Sequence, residues 1–205
     1  MGLPTTPPDP PPDTPGVSLG DAVLAAARRR FLEGGIDALS VRAIATDAGC
    51  TTMAVYTHFG GKDGLIQHFF DEGFARLADT QREVPETLPL DERVVALCRS
   101  YRRIAHAYPH HYDLMLGAHS GRFQPAPASR ARALATIDYL ADVLAPLETP
   151  GPTQRSRAAE RARAVIAFCH GWVMLERAGL YPVTAHGDAA FERAVHALLH
   201  SAGAE

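Results

Sequence analysis

The side chains from Thr51 to Lys62 are of types that bind nucleic acid. This segment reads Thr-Thr-Met-Ala-Val-Tyr-Thr-His-Phe-Gly-Gly-Lys. Hydroxyl, phenol, imidazole and ammonium groups hydrogen-bond to phosphates, and short side chains reach base edges in a major groove. On a helix, Val55 and Phe59 share one side, which leaves small, polar and aromatic residues outside. This outer surface is poor core material, and it predicts a helix that contacts DNA.

Two short helices must position these side chains. Ser40 is a favourable N-cap, and apolar residues then recur at helical spacing through Val41, Ile44, Ala45 and Ala48. Gly49 stands where a helix ends in a left-handed residue, and Thr51 can cap a second helix at once. The pattern predicts a helix-turn-helix. The alternative is two packed helices that never touch DNA.

A resemblance to a known family favours the DNA-binding interpretation. Tyr56-Thr-His58-Phe59, followed by Gly-Gly-Lys62, resembles the tetracycline repressor (TetR) family, whose hallmark is Tyr-x-His-Phe, a short turn and a Lys that opens the next helix. The resemblance covers about residues 20–70. His170-Gly171 in a late helix resembles a subgroup named for a Trp-His-Gly motif, but here Trp172 follows His-Gly instead of preceding it.

The resemblance implies a dimeric transcriptional regulator. It is expected to be a repressor that leaves a palindromic double-stranded DNA operator when a small, mostly apolar effector binds. By the same resemblance, Tyr56, His58 and Lys62 hold phosphates, and Arg42 and Thr51 assist. The residues expected to face base edges are Thr52, Met53, Ala54 and Thr57. Met53 and Ala54 can make only apolar contacts, for which a thymine methyl is the natural target.

The fold class expected is all-α. We predict a Pro-rich disordered tail over 1–16, a three-helix DNA-binding domain over 17–63, and a C-terminal bundle for ligand binding and dimerisation over 64–205, with about nine helices in total. The first helix begins at a Ser18 cap, and a linking helix begins at Lys62. Later helices are predicted at about 90–107, 110–117, 128–147, 153–178 and 188–201, between breaks at Pro and Gly.

Charge and cysteine content narrow the class of protein further. The net charge of −3 offers no global electrostatic argument for nucleic acid, although the surface from Ser40 to Lys62 is slightly positive. The run Arg28-Arg29-Arg30 is expected to be a solvated helix face more than a DNA contact. Isolated cysteines and the absence of any long apolar run predict a cytoplasmic protein without a membrane partner.

Catalytic and metal sites are not expected. His106, His110, His111 and His119 invite a metal hypothesis, but Pro109 breaks the helix between the first two, and adjacent histidines point different ways. Neither a G-x-S-x-G elbow nor a phosphate loop occurs, so we predict no enzyme, no cofactor and no metal. The rival hypotheses are a helical protein–protein adaptor and a constitutive DNA-binding protein without a ligand response.

Two further sets of residues are predicted in the C-terminal half. Apolar stripes on the last two long helices predict a two-fold dimer interface, with intramolecular core as the alternative. Its residues are Val165, Phe168, Trp172, Leu175, Phe191, Val195, Leu198 and Leu199. Apolar side chains mixed with isolated polar groups predict an effector pocket, with a fully packed core as the alternative. Its residues are Tyr101, His106, Met115, His119, Phe123, Tyr139, Phe168 and Trp172.

Overall fold

The protein folds as an all-α structure, as the sequence predicts. A computed structural model describes residues 18–117 and 123–200, so the predicted tail over 1–16 lies outside the described residues. Within these two ranges there are nine α-helices and no strand. They are α1 (Leu19–Gly34), α2 (Val41–Asp47), α3 (Thr52–Phe59), α4 (Lys62–Arg82), α5 (Leu90–Ala107), α6 (Pro109–Met115), α7 (Pro127–Leu144), α8 (Gln154–Arg177) and α9 (Ala185–His200).

Helix α1 begins at a capping box. The hydroxyl of Ser18 accepts a hydrogen bond from the backbone N–H of Asp21 at 3.1 Å, and the Asp21 carboxylate accepts one from the backbone N–H of Ser18 at 3.3 Å. Val23, Ala27 and Phe31 recur four residues apart and are completely buried. This face lies behind the pair α2 and α3, as the stripe predicts.

Helix α4 joins the DNA-binding unit to the rest of the chain. Near its start, Phe69 stacks on Phe31 of α1 with ring centroids 4.2 Å apart. Further along, Phe70 and Phe74 lie 5.0 Å apart on the side that meets the C-terminal bundle. One continuous helix therefore contacts both the DNA-binding unit and the bundle.

The last two helices bury most of their apolar stripes inside one chain. Val165, Phe191, Val195 and Leu199 are each at most 4% exposed. Phe168 and Trp172 pack on Phe191 with ring centroids 5.7 and 5.5 Å away. Val165, Phe191, Val195 and Leu199 therefore have little surface left to give a partner, and the dimer interface predicted through these helices stays a prediction.

None of the described helices combines the length and the apolar composition that a membrane span requires.

Candidate nucleic-acid interface

Helices α2 and α3 form the predicted helix-turn-helix. Ser40 caps α2 by accepting from the N–H of Ala43 at 3.5 Å, and Thr51 caps α3 by accepting from the N–H of Ala54 at 3.3 Å. Gly49 in the turn has φ +66° and nothing near the position of a Cβ atom, so only its backbone conformation requires glycine. Val55 is completely buried and holds α3 against α1.

The outer face of α3 carries the residues that the sequence predicts there. Met53 is 69% exposed and Tyr56 is 55% exposed, which is unusual for large side chains with apolar surface. Thr51, Thr52, Thr57 and His58 are also exposed, and Ala54 is half-buried. This surface has a polar perimeter and an apolar centre, and it projects away from the bundle.

Two glycines position the phenol and the ammonium at the end of α3. Gly60 is left-handed at φ +71°, and its N–H donates to the carbonyl of Tyr56 at 2.8 Å. Gly61 has φ +88°, and a Cβ atom there would lie 2.6 Å from Cε1 of Tyr56. The Tyr56 ring therefore lies directly on Gly61, and Lys62 begins α4 in the next position.

The histidine of this surface rests on α1. A Cβ atom on Gly20 would lie 3.3 Å from Nδ1 of His58, so the imidazole covers the first turn of α1. Arg42 is exposed on the first turn of α2. Both the start of α1 and the start of α2 consequently border the outer face of α3.

One ion pair inside this unit offsets a negative charge near the outer face. Arg30 donates to Asp47 at 2.7 Å, and this hydrogen bond lowers the pKa of the Asp47 carboxyl. Arg42 and Lys62 have no ion-pair partner among the residues that the structure describes. Asp63 is exposed beside Lys62 in the first turn of α4. The surface from Ser40 to Lys62 is thus slightly positive, as predicted.

The arginine run has a structural function. Arg28 pairs with Glu72 of α4 at 2.5 Å, and Arg30 pairs with Asp47 of α2. Arg29 alone of the three is exposed. Two of these cations therefore connect helices, a use that neither the solvated-face nor the DNA-contact interpretation anticipates.

A cavity of about 400 Å³ lies in the C-terminal bundle, between α4, α5, α7 and α8. Its walls are mainly apolar, and they include Tyr101 and Met115, two of the residues predicted for an effector pocket. The wall residues that the sequence analysis missed include Phe70, Phe74, Leu77, Leu97, Thr136, Ile137, Leu140 and Ile166. Their apolar helical spacing was visible in the sequence, but it does not distinguish a cavity wall from a packed core.

Other residues predicted for the effector pocket do not line this cavity. His106 contacts Glu176 at 2.8 Å, Tyr139 accepts from Arg93 at 3.1 Å, and Phe168 and Trp172 pack on Phe191. The ring of Phe123 is tilted by 56° against that of Phe70, with centroids 5.7 Å apart, and Phe123 does not line the cavity. His119 lies outside the described residues. The rotation of each helix about its axis determines which of its sides meets the cavity. The spacing of apolar residues along the sequence does not specify this rotation.

Polar groups beside the cavity form a continuous chain. The hydroxyls of Tyr101 and Tyr112 are 3.1 Å apart, and the Tyr112 hydroxyl lies 2.6 Å from Nδ1 of His170. Burial raises the pKa of Tyr112 to about 12 and raises that of Tyr101 further. Both phenols are therefore neutral at physiological pH, and Tyr101 offers a hydrogen-bonding group to the cavity.

The histidines of the segment 106–111 diverge. His106 turns to Glu176, whereas His111 is 1% exposed and packs edge-on against Phe31 at 4.8 Å. His110 lies over Gly35, where a Cβ atom would be 3.1 Å from its Nδ1. Each of these histidines has its own structural environment, and they do not converge on one point.

Two family models match this chain. One, described as bacterial regulatory proteins of the tetR family, matches residues 23–69. Another, described as the tetracyclin repressor-like C-terminal domain, matches residues 94–198. HTH-type transcriptional regulators of Mycobacterium tuberculosis and Mycobacterium bovis are 29% identical over 117 residues, which are 56% of this chain and 50% of the relatives. The chain thus spans about half the length of the curated relatives it matches.

Solved structures share the fold. A protein of unknown function from Rhodococcus sp. RHA1 has a TM-score of 0.75 at 24% identity, over 94% of this chain and 98% of that one. A TetR variant from Acinetobacter baumannii AYE in complex with minocycline has a TM-score of 0.59 at 24% identity, over 87% and 93%. The subgroup with the Trp-His-Gly motif stays a prediction. On the two family models and this fold, the chain belongs to the tetracycline repressor family of DNA-binding transcriptional regulators.

Proposed function

We propose that this protein is a homodimeric repressor that releases a palindromic operator when a small, mostly apolar molecule enters the bundle cavity. The observation that carries the proposal is the path of α4. This helix begins with Lys62 beside the outer face of α3 and continues to Phe70 and Phe74 in the cavity wall. A molecule that moves the wall therefore acts on the helix that begins at the DNA-binding surface.

The contacts proposed with DNA follow the exposure of the side chains. Tyr56, His58 and Lys62 bind phosphates around the end of α3, and Arg42 and Thr51 bind phosphates at its other border. Thr52, Met53, Ala54 and Thr57 face the bases, and the exposed Met53 meets thymine methyl groups. Such a surface reads sequence with few bidentate hydrogen bonds, so shape and apolar contact contribute much of its specificity.

The dimer is proposed to form through the outward face of α8. Ala164, Ala167, Gly171 and Met174 lie on this face, and all four are exposed. Small side chains allow two helices to approach closely, and Met174 supplies adaptable apolar area. A two-fold axis here would place the two α3 helices on one side of the dimer, where successive major grooves lie about 34–36 Å apart.

The effector is proposed to be an apolar molecule with one or two polar groups. The cavity volume of about 400 Å³ is in the range of small-molecule sites, and its walls offer the Tyr101 hydroxyl and Thr136 among aromatic and aliphatic groups. The minocycline complex of the structurally similar TetR variant supports a ligand in this bundle. The ligand must prefer one bundle shape over the other, because a ligand with equal affinity for both cannot release DNA.

The DNA-binding half is tested with Tyr56→Ala combined with Lys62→Ala. Genomic fragments selected on the wild-type protein supply the operator. We expect the double variant to lose specific binding by roughly a hundredfold or more, about 2.7 kcal/mol, with unchanged helical circular dichroism and dimer mass. Arg155→Ala combined with Leu180→Ala, two exposed positions far from α3, is the matched control. Retained binding by the double variant would favour the adaptor hypothesis.

The ligand-responsive half is tested by filling the cavity. Ala133 lines the cavity from α7, and the exposed Ala131 lies on the same helix. Ala133→Phe should keep operator affinity and abolish the response to compounds that shift the melting temperature and Trp172 fluorescence of the wild type. Ala131→Phe should respond normally. If wild-type ligands bind tightly but never change operator affinity, the protein is a constitutive DNA-binding protein.

A further inference from the structure

Two histidines near the end of α9 face an aspartate at the start of α5. His196 and His200 are four residues apart on α9, and Asp91 lies in the first turn of α5. Nε2 of His200 is 3.1 Å from Oδ2 of Asp91. One potential ligand atom from each of the three side chains lies within 4.8 Å of the other two.

We propose that Asp91, His196 and His200 bind a divalent transition-metal ion of the zinc type. Histidines at i and i+4 project from the same side of a helix, which is the spacing by which helices supply two imidazoles to one metal ion. Imidazole and carboxylate are the nitrogen and oxygen donors that Zn²⁺ takes in proteins. Neither the DNA-binding surface nor the effector cavity includes these residues, so the site is independent of the proposed function.

The spacing of the donor atoms fits such an ion. Ligands of tetrahedral Zn²⁺ at 2.0–2.1 Å from the metal are about 3.3 Å apart. The distance between Nε2 of His200 and Oδ2 of Asp91 is close to this value. The three potential ligand atoms lie at most 4.8 Å apart, and small side-chain rotations would bring them to the ligand spacing of Zn²⁺. Three protein ligands leave the fourth position to water or to another donor.

The surroundings favour a cation over a simple ion pair. An ion pair between His200 and Asp91 needs no second histidine, yet His196 is half-buried beside them and its side chain makes no hydrogen bond among the described residues. The nearby Arg161, which donates to the carbonyl of Leu199 at 3.2 Å, is itself paired with Glu148 at 2.5 Å. This pairing offsets part of its positive charge, although Glu148 also lies 3.5 Å from Arg157.

Metal binding would connect the end of α9 to the start of α5. Helix α9 packs on α5 and α8 and follows a connection from Ala178 to Thr184 with mostly exposed residues. A metal ion that binds the folded chain more tightly than the unfolded chain raises stability with concentration. The expected consequence is a protein whose melting temperature depends on Zn²⁺ through the contact between α5 and α9.

The test uses the full-length, tag-free protein, freed of metal with a chelator and titrated with Zn²⁺ against a chromophoric competitor. We expect one Zn²⁺ per chain and a rise of several degrees in melting temperature. His196→Ala, His200→Ala and Asp91→Asn should each weaken binding at least tenfold. Each should also remove the rise in melting temperature. His186→Ala, at an exposed position on the same helix, is the matched control and should bind as the wild type does.

Cobalt provides a second measurement that does not depend on stability. Co²⁺ in a tetrahedral site of this kind gives intense visible absorption bands, which His196→Ala and His200→Ala should abolish while their metal-free melting temperatures stay close to that of the wild type. Wild-type affinity in either histidine variant would overturn the proposal, as would a stoichiometry well below one. If His200→Ala weakens Zn²⁺ binding but His196→Ala does not, His196 is not a ligand. The ion pair between His200 and Asp91 then explains the geometry, and the proposed three-residue site is rejected.

Discussion

Gly61 controls the orientation of Tyr56, the most exposed aromatic side chain of α3. Its φ of +88° is one that L side chains rarely adopt, and a Cβ atom would lie 2.6 Å from the Tyr56 ring. Gly60, the preceding residue, is also left-handed, but nothing lies within 4 Å of its Cβ position. Gly60 is therefore required only for its backbone conformation. Gly61 is required both for its backbone conformation and for the space that the Tyr56 ring occupies.

This pair supplies the prediction at the residue scale. Gly60→Ala should destabilise the protein by about 1–3 kcal/mol through backbone strain alone. Gly61→Ala should destabilise it at least as much, and should also weaken operator binding because the phenol is displaced. Urea denaturation and a binding titration at fixed salt measure the two effects. Equal losses of operator affinity in both variants would contradict a positioning role for Gly61.

At the scale of elements, Glu72 connects three helices. Its carboxylate accepts from Arg28 of α1 and Arg76 of α4, each at 2.5 Å, and lies 3.7 Å from Nε2 of His111 on α6. Partial burial acts to raise the pKa of Glu72, but His111 and the two guanidinium groups lower it by more, so the pKa is held well below its usual range. Glu72 is therefore charged and joins the DNA-binding unit to the bundle.

The prediction at this scale concerns how Glu72 affects stability in acid. Because the folded-state pKa of Glu72 is lowered, its contribution is fully present above the ordinary carboxyl pKa and is lost as pH falls towards the lowered value. Glu72→Gln should reduce the free energy of unfolding at pH 7 by about 2 kcal/mol. It should also flatten the decline of stability below about pH 5. Urea denaturation across pH measures both.

Glu86→Gln is the control for this measurement. The Glu86 side chain is 80% exposed and approaches Arg93 only at 3.4 Å. Exposed pairs contribute little to stability, so this variant should match the wild type across the pH range. An equal effect of both substitutions would mean that general charge, and not the connection between helices, determines acid stability.

At the scale of the whole molecule, the proposed dimer depends on which surface of α8 is free. Val165 is buried within the chain and Phe168 and Trp172 are half-buried, whereas Ala167 and Gly171 are exposed. The apolar stripe that the sequence suggests for a dimer contact thus packs mainly inside the chain. The small residues beside it stay exposed and can contact a second copy. Close approach of two copies of α8 would leave no room for a long side chain on this face.

Ala167→Glu should therefore dissociate the dimer. The added carboxylates would meet near the two-fold axis, and we expect a dissociation constant raised roughly a hundredfold, about 2.7 kcal/mol. Sedimentation at micromolar concentration measures it, and operator affinity should fall in parallel because one protomer binds one half-site. Ala131→Glu, exposed on α7, is the control. A wild-type monomer, or an intact dimer in Ala167→Glu, would refute the proposed interface.

The sequence by itself determined which segments are helical, the ends of the short helices and the DNA-binding unit, whereas the predicted start near 188 and end near 147 differ by three residues from α9 and α7. Caps such as Ser40 and Thr51, and stops such as Gly49 and Gly60, act over three or four residues. Their effect can therefore be read from neighbours in the chain. The exposure of Tyr56 and Met53 followed for the same reason, since Val55 and Phe59 define the buried side of a short helix.

Only the tertiary structure decided which faces of the longer helices meet. The rotation of α8 places Val165 inward and Ala167 outward, and it moves Phe168 and Trp172 from the cavity to the contact with Phe191. The pairing of Arg28 with Glu72 and the approach of Asp91 to His200 join residues far apart in sequence. Helical spacing specifies a stripe but not its partner, because the partner depends on how all the helices pack together.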